Sequence, residues 1–510
     1  MCKELYFENP LKLWDKDKSF ATIELKEPKT VIRVKQMVYT YKDQQEFKEQ
    51  IDELLKKKLI RESKSPHSSP AFMVRNHAEE KRGKARMVIN YKKLNDNTVF
   101  DGFYIPNKTV LFNRIQGATW FSKMDCKSGY WQVKMDKDSI PLTAFSAPQG
   151  HYEWLVMPFG LKNAPQIFQR RMDKIFENLK HCCLVYIDDI LIFSKTLEQH
   201  MHDLEAITQK CIDHGIILGQ KKCIYAEQEI EFLGLKIKDG EIVLQEHVLE
   251  KIEKFPDKIE DRKQLERFLG CLTYASYFIK DLAKLRKPLQ GKLKKEQTWT
   301  WTNLDTQIVQ DLKKRCKKLP VLTLPNVDDD LVLETDASNY HWGAILKIKK
   351  DNKLCRYSSG SFNKAECNYT TMEKEILAIL KGIDKFIIFL APKHFTVRTD
   401  CKGILGFVRN NLSNMKAQGR LLRWQLTLNQ YSFDIEHVQG SKNSLADSLT
   451  RELANVSSQA IDGIFQQAKT KNYNWKTISV PMDDKRKRRV GRNGTVCPLD
   501  ANRGGRQEKI

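Results

Sequence analysis

The sequence predicts an α+β fold assembled from more than one compact unit, and three observations carry that prediction. Between Trp120 and Leu235, apolar runs of strand length alternate with helical stretches. From Leu331 a second series begins, reading as three strands, a helix, a strand, helices, a strand and a short helix, the order of an α/β unit. The chain has 510 residues with 41% hydrophobic and 10% aromatic content, neither disordered nor fibrous. At roughly 100–200 residues per domain, that length makes about three to five units.

Residues 1–40 are mixed and poorly periodic, and are expected to form an N-terminal extension. From Tyr41, Phe47, Ile51, Leu54, Leu55 and Leu59 recur at helical spacing, with a stop expected at Ser65-Pro66. Ala71–Arg75 and Arg86–Ile89 read as a hairpin whose tip, Glu79–Lys84, is basic. Strands are expected at Trp120–Met124, at Leu184–Tyr186 with Ile190–Ser194, and at Ile230–Ile237. Leu249–Leu293 reads as amphipathic helices dense in Lys and Arg, and Trp299–Pro325 as a transition. The second unit holds strands Leu331–Thr335, Gly343–Ile348 and Leu354–Tyr357, a helix Thr371–Leu390, and a strand His394–Thr399. Helices then run to Gln430, before a strand Ser432–His437 and a helix from Ser444. Residues 451–510 carry 13 Lys+Arg against 6 Asp+Glu, including the run Lys485-Arg486-Lys487-Arg488-Arg489, and read as a disordered basic tail.

A net charge of +23 favours a polyanionic partner. The longest apolar runs, Cys182–Phe193 and Phe386–Leu390, are too short for a bilayer, and Asp188 and Asp189 break the first, so no membrane protein is expected. Met1-Cys2-Lys3-Glu4-Leu5 lacks a basic segment followed by an apolar stretch, so no secretion signal and an intracellular protein are expected. The 12 cysteines form no C-x-x-C pair and no Cys/His cluster at zinc spacing, and Cys182-Cys183 lies in a strand-like run. Reduced structural thiols are the reading.

Two sets of carboxylates stand out. In Tyr186-Ile187-Asp188-Asp189-Ile190, two adjacent acids interrupt an apolar hairpin, and Asp125 ends another apolar run, Trp120–Met124. Burying such charges unpaired would cost several kcal/mol, so a cation is expected there. Three such acids brought together would hold two Mg²⁺ ions about 3.5–4 Å apart, one activating a 3′-hydroxyl and one steadying a leaving pyrophosphate. A solvated Asp-Asp turn is the bland alternative, disfavoured by the apolar setting. In the second unit, Asp336 follows one strand, Asp400 ends another, Glu375 lies on the long helix and Asp447 opens the last one. Glu373 and Glu375 flank the stripe Met372, Ile376, Ile379, Ile383 and Ile387 on opposite sides, so helical geometry does not choose between them.

Ser65–Pro70, Arg86–Asn95, Phe121–Val133, Leu142–Gly150, Met157–Met172 and Tyr186–Ser194 together resemble the successive motifs of a retroelement reverse transcriptase. The wording from Ala147-Pro148-Gln149-Gly150 through Lys162-Asn163-Ala164-Pro165 is similar to plant pararetroviruses of the caulimovirus family, closest to the badnavirus and tungro bacilliform kind. The likeness runs in unbroken order over about residues 40–452. It implies a right-hand polymerase followed by a ribonuclease H-like domain: an extension 1–40, fingers and palm 41–235, thumb 236–295, connection 296–330, ribonuclease H 331–452 and tail 453–510.

By the same resemblance Asp125, Asp188 and Asp189 are the catalytic, metal-binding aspartates of the polymerase. Arg86 meets the incoming triphosphate, with Lys81 or Arg82 as companion cation. Tyr130 walls off a ribose 2′-hydroxyl, and Phe159 stands where many retroviral enzymes carry Gln, so that apolar packing is expected there. Phe232-Leu233-Gly234 resembles the primer grip, and the Lys and Arg residues of 251–295 suit a thumb following duplex phosphates. Asp336, Glu375, Asp400 and Asp447 match the metal-binding carboxylates of a ribonuclease H, with His437 as a proton shuttle.

The implied cofactor is Mg²⁺, two per active site, with Mn²⁺ able to substitute. The implied partners are an RNA template, a DNA primer, RNA–DNA hybrid, deoxynucleoside triphosphates and a tRNA primer, in host cytoplasm and virus particle. Absent protease, nucleocapsid-knuckle and integrase signatures make a processed polymerase product the expectation. A group II intron or telomerase-type enzyme is disfavoured by the appended second unit. A degenerate copy that only binds nucleic acid is disfavoured by the intact carboxylates.

Overall fold

A computed structural model describes residues 2–75, 85–294, 298–409 and 419–438, all within the unit Met1–Arg451. The first helix, Tyr41–Lys56, is fixed at its start by Thr40, whose hydroxyl accepts from the Asp43 amide while Asp43 reaches back to the Thr40 amide. It buries Phe47, Ile51 and Leu54, each worth roughly 1.5–3 kcal/mol of apolar transfer. The helix ends earlier than its apolar spacing suggests, because Lys58 turns left-handed (φ 57°) and sends the chain into a strand from Ile60.

That strand, Ile60–Glu62, edges a five-stranded sheet running on through Gly150–Trp154, Phe145–Ala147, Ser69–Val74 and Arg86–Ile89. Val74 lies opposite Arg86 in the expected hairpin, whose tip falls outside the described residues. A four-stranded sheet follows, Ile224–Glu227, Trp120–Asp125, Asp189–Ser194 and Cys183–Tyr186. Its central strands are buried on both faces, which explains their near-continuous apolar reading.

Residues 2–40 pack into this body. Phe20–Ala21 pairs with Lys134–Met135, the Leu218 amide donates to the Leu5 carbonyl, and Leu5 and Ile32 are buried in different core clusters. Short irregular pieces lying in separate grooves carry no helical or strand period, which is why the segment reads as an extension.

The run Ile230–Ile237, expected as one strand, is a hairpin. Leu233 (φ 49°) and Gly234 (φ 90°) turn the chain between Glu229–Phe232 and Leu235–Lys238. Glu241–Leu244 and Leu322–Thr323 complete that sheet, and helices Glu246–Glu253, Arg262–Tyr274, Leu282–Gly291 and Asn303–Cys316 share one apolar core with it.

The last sheet has the order Leu354–Ser361, His341–Ile348, Leu331–Ala337, Phe395–Thr399 and Phe433–His437, with the first two pairings antiparallel and the last two parallel. The helix Thr371–Lys385 packs across it, and Phe386 breaks the expected longer helix before Ile387–Leu390. Gly382 sits where a Cβ would come within 3.2–3.3 Å of Leu333, Thr335 and Ala344, so the helix lies close on the sheet. The cysteines from Cys126 to Cys401 are free thiols. No described helix is long and apolar enough to cross a membrane.

Candidate active sites

In the four-stranded sheet Asp189 lies opposite both Tyr186 and Asp125. Ile187 and Asp188 are left as the turn, with Ile187 left-handed (φ 56°). The strained turn is tied down from below. The Ile187 amide donates to Gln169 Oε1 at 2.7 Å, and Gln169, fully buried, donates on to the Val185 carbonyl and to Asp173. The Cys126 amide donates to the Asp188 carbonyl at 2.8 Å, so the two strand ends are stitched together.

The three acids are thereby neighbours. Burial, then Asp125 and Asp189, push the Asp188 carboxyl up to about 7, with Lys222 opposing. Asp188 Oδ1 is buried and has no hydrogen-bond partner. Lys222 Nζ donates to both oxygens of Asp125, at 3.0 and 3.1 Å, and Lys123 Nζ lies 3.3 Å from Asp189. With two of its acids held by lysines, this trio is not among the described sets whose ligand atoms all fall within 4.8 Å of one another. Gly129 borders the turn so closely that a Cβ would lie 2.2 Å from Asp188 Oδ1 and 2.9 Å from the Phe168 ring.

Beside Asp188 stands an aromatic wall. The Tyr130 ring is 5.0 Å from Phe159 and 5.8 Å from Phe168, and Phe159 also meets Trp131 edge-on. Burial, then Asp188, raises the Tyr130 phenol, so it stays a neutral donor. Phe159 packs on rings as expected yet remains half exposed. Arg86 opens its strand with an exposed side chain, while Lys81 and Arg82 lie outside the described residues.

One residue of the expected primer grip needs correction. The Phe232 side chain is fully buried, edge-on against Phe112, and so cannot itself touch a strand of nucleic acid. What the turn presents is backbone. Lys108 Nζ donates to the Leu233 carbonyl at 3.3 Å, and a Cβ on Gly234 would stand 3.2 Å from the Tyr274 ring.

The second set converges tightly. Asp336 on its strand, Glu375 on the helix Thr371–Lys385 and Asp400 just past Phe395–Thr399 bring one ligand atom each within 4.8 Å of the others. The Ala337 amide donates to Glu375 Oε1 at 3.0 Å, while Oε2 is buried without a hydrogen-bond partner. Burial, then Asp336 and Asp400, push the Glu375 carboxyl up to about 9. Such a set stays ionised near neutral pH only beside added positive charge, and its hard oxygen donors suit a divalent ion of the Mg²⁺ type.

Glu373 points elsewhere. It closes the capping box with Thr370 and pairs with Arg420. His437 pairs with Thr399 across the parallel strands, and its ring lies 3.0 Å from the Asp400 carbonyl. A carbonyl only accepts, so Nε2 carries a hydrogen and donates it. Asp447 lies outside the described residues.

Residues 74–237 match the model of the reverse transcriptase (RNA-dependent DNA polymerase) family, and residues 326–431 that of the RNase H-like domain found in reverse transcriptase. Over 462 residues the chain is 50% identical to the enzymatic polyprotein of cauliflower mosaic virus (strain Strasbourg), covering 88% of this chain and 68% of that protein. The chain belongs to the caulimovirus enzymatic polyproteins. It is a pararetroviral reverse transcriptase with a ribonuclease H domain.

The carnation etched ring virus polyprotein is 51% identical over 459 residues, covering 88% of this chain and 69% of that one. That of figwort mosaic virus is 49% identical over 453, covering 87% and 67%. Among solved structures, foamy viral protease-reverse transcriptase in complex with RNA/DNA hybrid shares the fold at TM-score 0.68 and 20% identity, covering 93% of this chain but only 60% of that one. The same protein with dsDNA gives TM-score 0.69 at 22% identity, covering 83% and 87%.

Several residues of this reverse transcriptase's sites are not apparent from sequence. Gly129 lies inside the quoted motif Phe121–Val133, yet only its approach to Asp188 explains the missing side chain. Gln169, Lys222 and Arg420 give no signal in a linear pattern, since each partner lies far along the chain.

Proposed function

We propose that the chain copies RNA and DNA templates into DNA at Asp125, Asp188 and Asp189, and cleaves the RNA strand of RNA–DNA hybrids at Asp336, Glu375, Asp400 and Asp447. The observation that carries this reading is a pair of buried carboxylate oxygens without hydrogen-bond partners, Asp188 Oδ1 and Glu375 Oε2, each among further acids at the ends of strands. Two Mg²⁺ ions per site, replaceable by Mn²⁺, fit these donors, and when bound they activate the attacking hydroxyl or water and stabilise the charge on the leaving group.

The chain's own groups do the rest. Arg86 faces the triphosphate of the incoming deoxynucleotide, and the Tyr130 ring, backed by Phe159 and Phe168, leaves no space for a ribose 2′-hydroxyl. The Leu233-Gly234 turn offers its backbone to the primer strand. His437, oriented through Nε2 on Asp400, exchanges protons through Nδ1 during RNA cleavage. Fingers and palm occupy 41–235 with residues 2–40 packed against them, and thumb, connection, ribonuclease H and tail follow at 236–295, 296–330, 331–452 and 453–510. The partners are template RNA, DNA primer, RNA–DNA hybrid, deoxynucleoside triphosphates and a tRNA primer; the foamy viral protein of like fold is in complex with RNA/DNA hybrid in one structure and with dsDNA in another. The working compartments are host cytoplasm and virus particle.

Asp188→Asn tests the separation of the two sites. DNA synthesis should vanish, while hybrid binding and RNA cleavage, measured on the same purified sample, persist. Parallel loss of RNA cleavage would point to one shared site or to misfolding.

A further inference from the structure

Away from both acidic sites, His181, Cys182 and Asp203 bring an imidazole nitrogen, a thiol sulfur and a carboxylate oxygen within 4.8 Å of one another. They come from the turn leading into Cys183–Tyr186 and from the helix Leu197–Asp213. Donors around one tetrahedral Zn²⁺ stand roughly 3.3–3.8 Å apart, so a small rotation of the exposed His181 would complete the set. Cys182 and Asp203 are buried, at 2% and 6% exposure, and His181 is exposed.

A second, independent feature is the way Asp203 is held. The Ala226 amide donates to Ser122, Ser122 contacts His200 Nε2 at 2.7 Å, His200 Nδ1 contacts Ser194 at 3.0 Å, and Ser194 donates to Asp203 Oδ2 at 2.7 Å. Gln199 Nε2 donates to Oδ1 at 2.8 Å. With Ser194 donating to the acid, His200 must donate from Nδ1 and accept at Nε2. Burial favours the neutral ring this requires. Donated hydrogen bonds of this kind are what orient a carboxylate ligand in a metal site. Burial, then Asp203, push the Cys182 thiol up to about 12, and Arg114, which donates to the Cys183 carbonyl at 2.8 Å, opposes them with one positive charge that a bound divalent ion would add to.

We propose that His181, Cys182 and Asp203 form a third cation site, of the Zn²⁺ class, that clips the base of the catalytic hairpin to the following helix. Thiolate and imidazole select a borderline-soft ion over Mg²⁺, which prefers oxygen. Binding releases the Cys182 thiol proton to solvent, so that thiolate and carboxylate together balance the divalent charge and water takes the fourth position. Metal binding at this site can be read independently of either catalytic activity.

The full chain, stripped with a chelator, is titrated with Co²⁺. One equivalent should produce a thiolate-to-cobalt charge-transfer band and a tetrahedral visible spectrum, both abolished by Zn²⁺ and unaffected by excess Mg²⁺. Cys182→Ser should remove the band. His181→Ala, at an exposed position that leaves the fold intact, should weaken cobalt binding at least tenfold. Asp203→Asn keeps the side-chain shape and should weaken it as well. No band in the wild type, an equal band in Cys182→Ser, or unchanged affinity in His181→Ala would each overturn the site.

Discussion

Glu373 and Glu375 are two residues apart on one helix, and the fold gives them opposite roles. Glu375 joins Asp336 and Asp400, whereas Glu373 is 8% exposed, capped onto Thr370 and paired with Arg420. Glu375→Gln should therefore reduce RNA cleavage by orders of magnitude, with partial rescue by high Mg²⁺ or by Mn²⁺, while DNA synthesis persists. Glu373→Gln should cost about 1 kcal/mol of stability through the cap and ion pair, with cleavage largely retained. A denaturant titration alongside a hybrid-cleavage assay separates the two, and a lethal Glu373→Gln would shift the assigned register by two residues. The raised Glu375 carboxyl also fixes a sign. In the folded, metal-free chain it holds its proton up to about 9, but unfolded it ionises near 4.5, so its contribution is present at low pH and is lost as pH rises toward 9. Glu375→Gln cannot ionise, so in chelator its stability relative to the wild type should climb between pH 5 and pH 9. A constant difference across that range would mean that Glu375 is already charged.

At the scale of elements, the catalytic turn depends on how closely its neighbour can approach. The short helical turn Gly129–Gln132 lies against Asp188, and any Cβ at Gly129 would overlap both Asp188 Oδ1 and the Phe168 ring. Gly129→Ala should displace the Ile187-Asp188 turn and cut DNA synthesis at least tenfold, leaving RNA cleavage within twofold. Primer extension and hybrid cleavage measured together decide it, and unaltered synthesis would show that the turn yields without consequence. The same reasoning accounts for the break in Ile230–Ile237. Its apolar alternation changes phase at Phe232-Leu233, and Leu233 and Gly234 both adopt positive φ, which turns the run into a hairpin.

For the whole molecule, charge is the property that no single element explains. The +23 balance is spread along the chain, and residues 451–510 contribute 13 basic against 6 acidic side chains. Deleting residues 456–510 should weaken hybrid binding mainly at low salt and reduce the slope of log K against log salt, while both catalytic rates at saturating substrate hold. An unaltered slope would mean that the run Lys485–Arg489 contacts no phosphate, and an address signal would replace electrostatic anchoring as its role.

The sequence by itself determined the two mixed α and β regions and the order of strands and helices in the second as far as His437, the helix expected from Ser444 lying outside the described residues, because apolar periodicity reports which face of each element is buried. It also exposed most of both carboxylate sets, since acids at the ends of apolar runs stand out against their neighbours. Only tertiary structure decided what depends on distance between residues far apart in the chain. Glu375 was separated from Glu373 by the positions of Asp336 and Asp400, and Asp188 gained its raised carboxyl from burial beside Asp125. Residues 2–40 became part of the body because irregular segments lie in grooves that other elements create. His181 and Cys182 met Asp203 only when a helix folded back over its own sheet. Periodicity encodes the face an element turns inward, but close approach between elements is set by packing, which linear spacing does not contain.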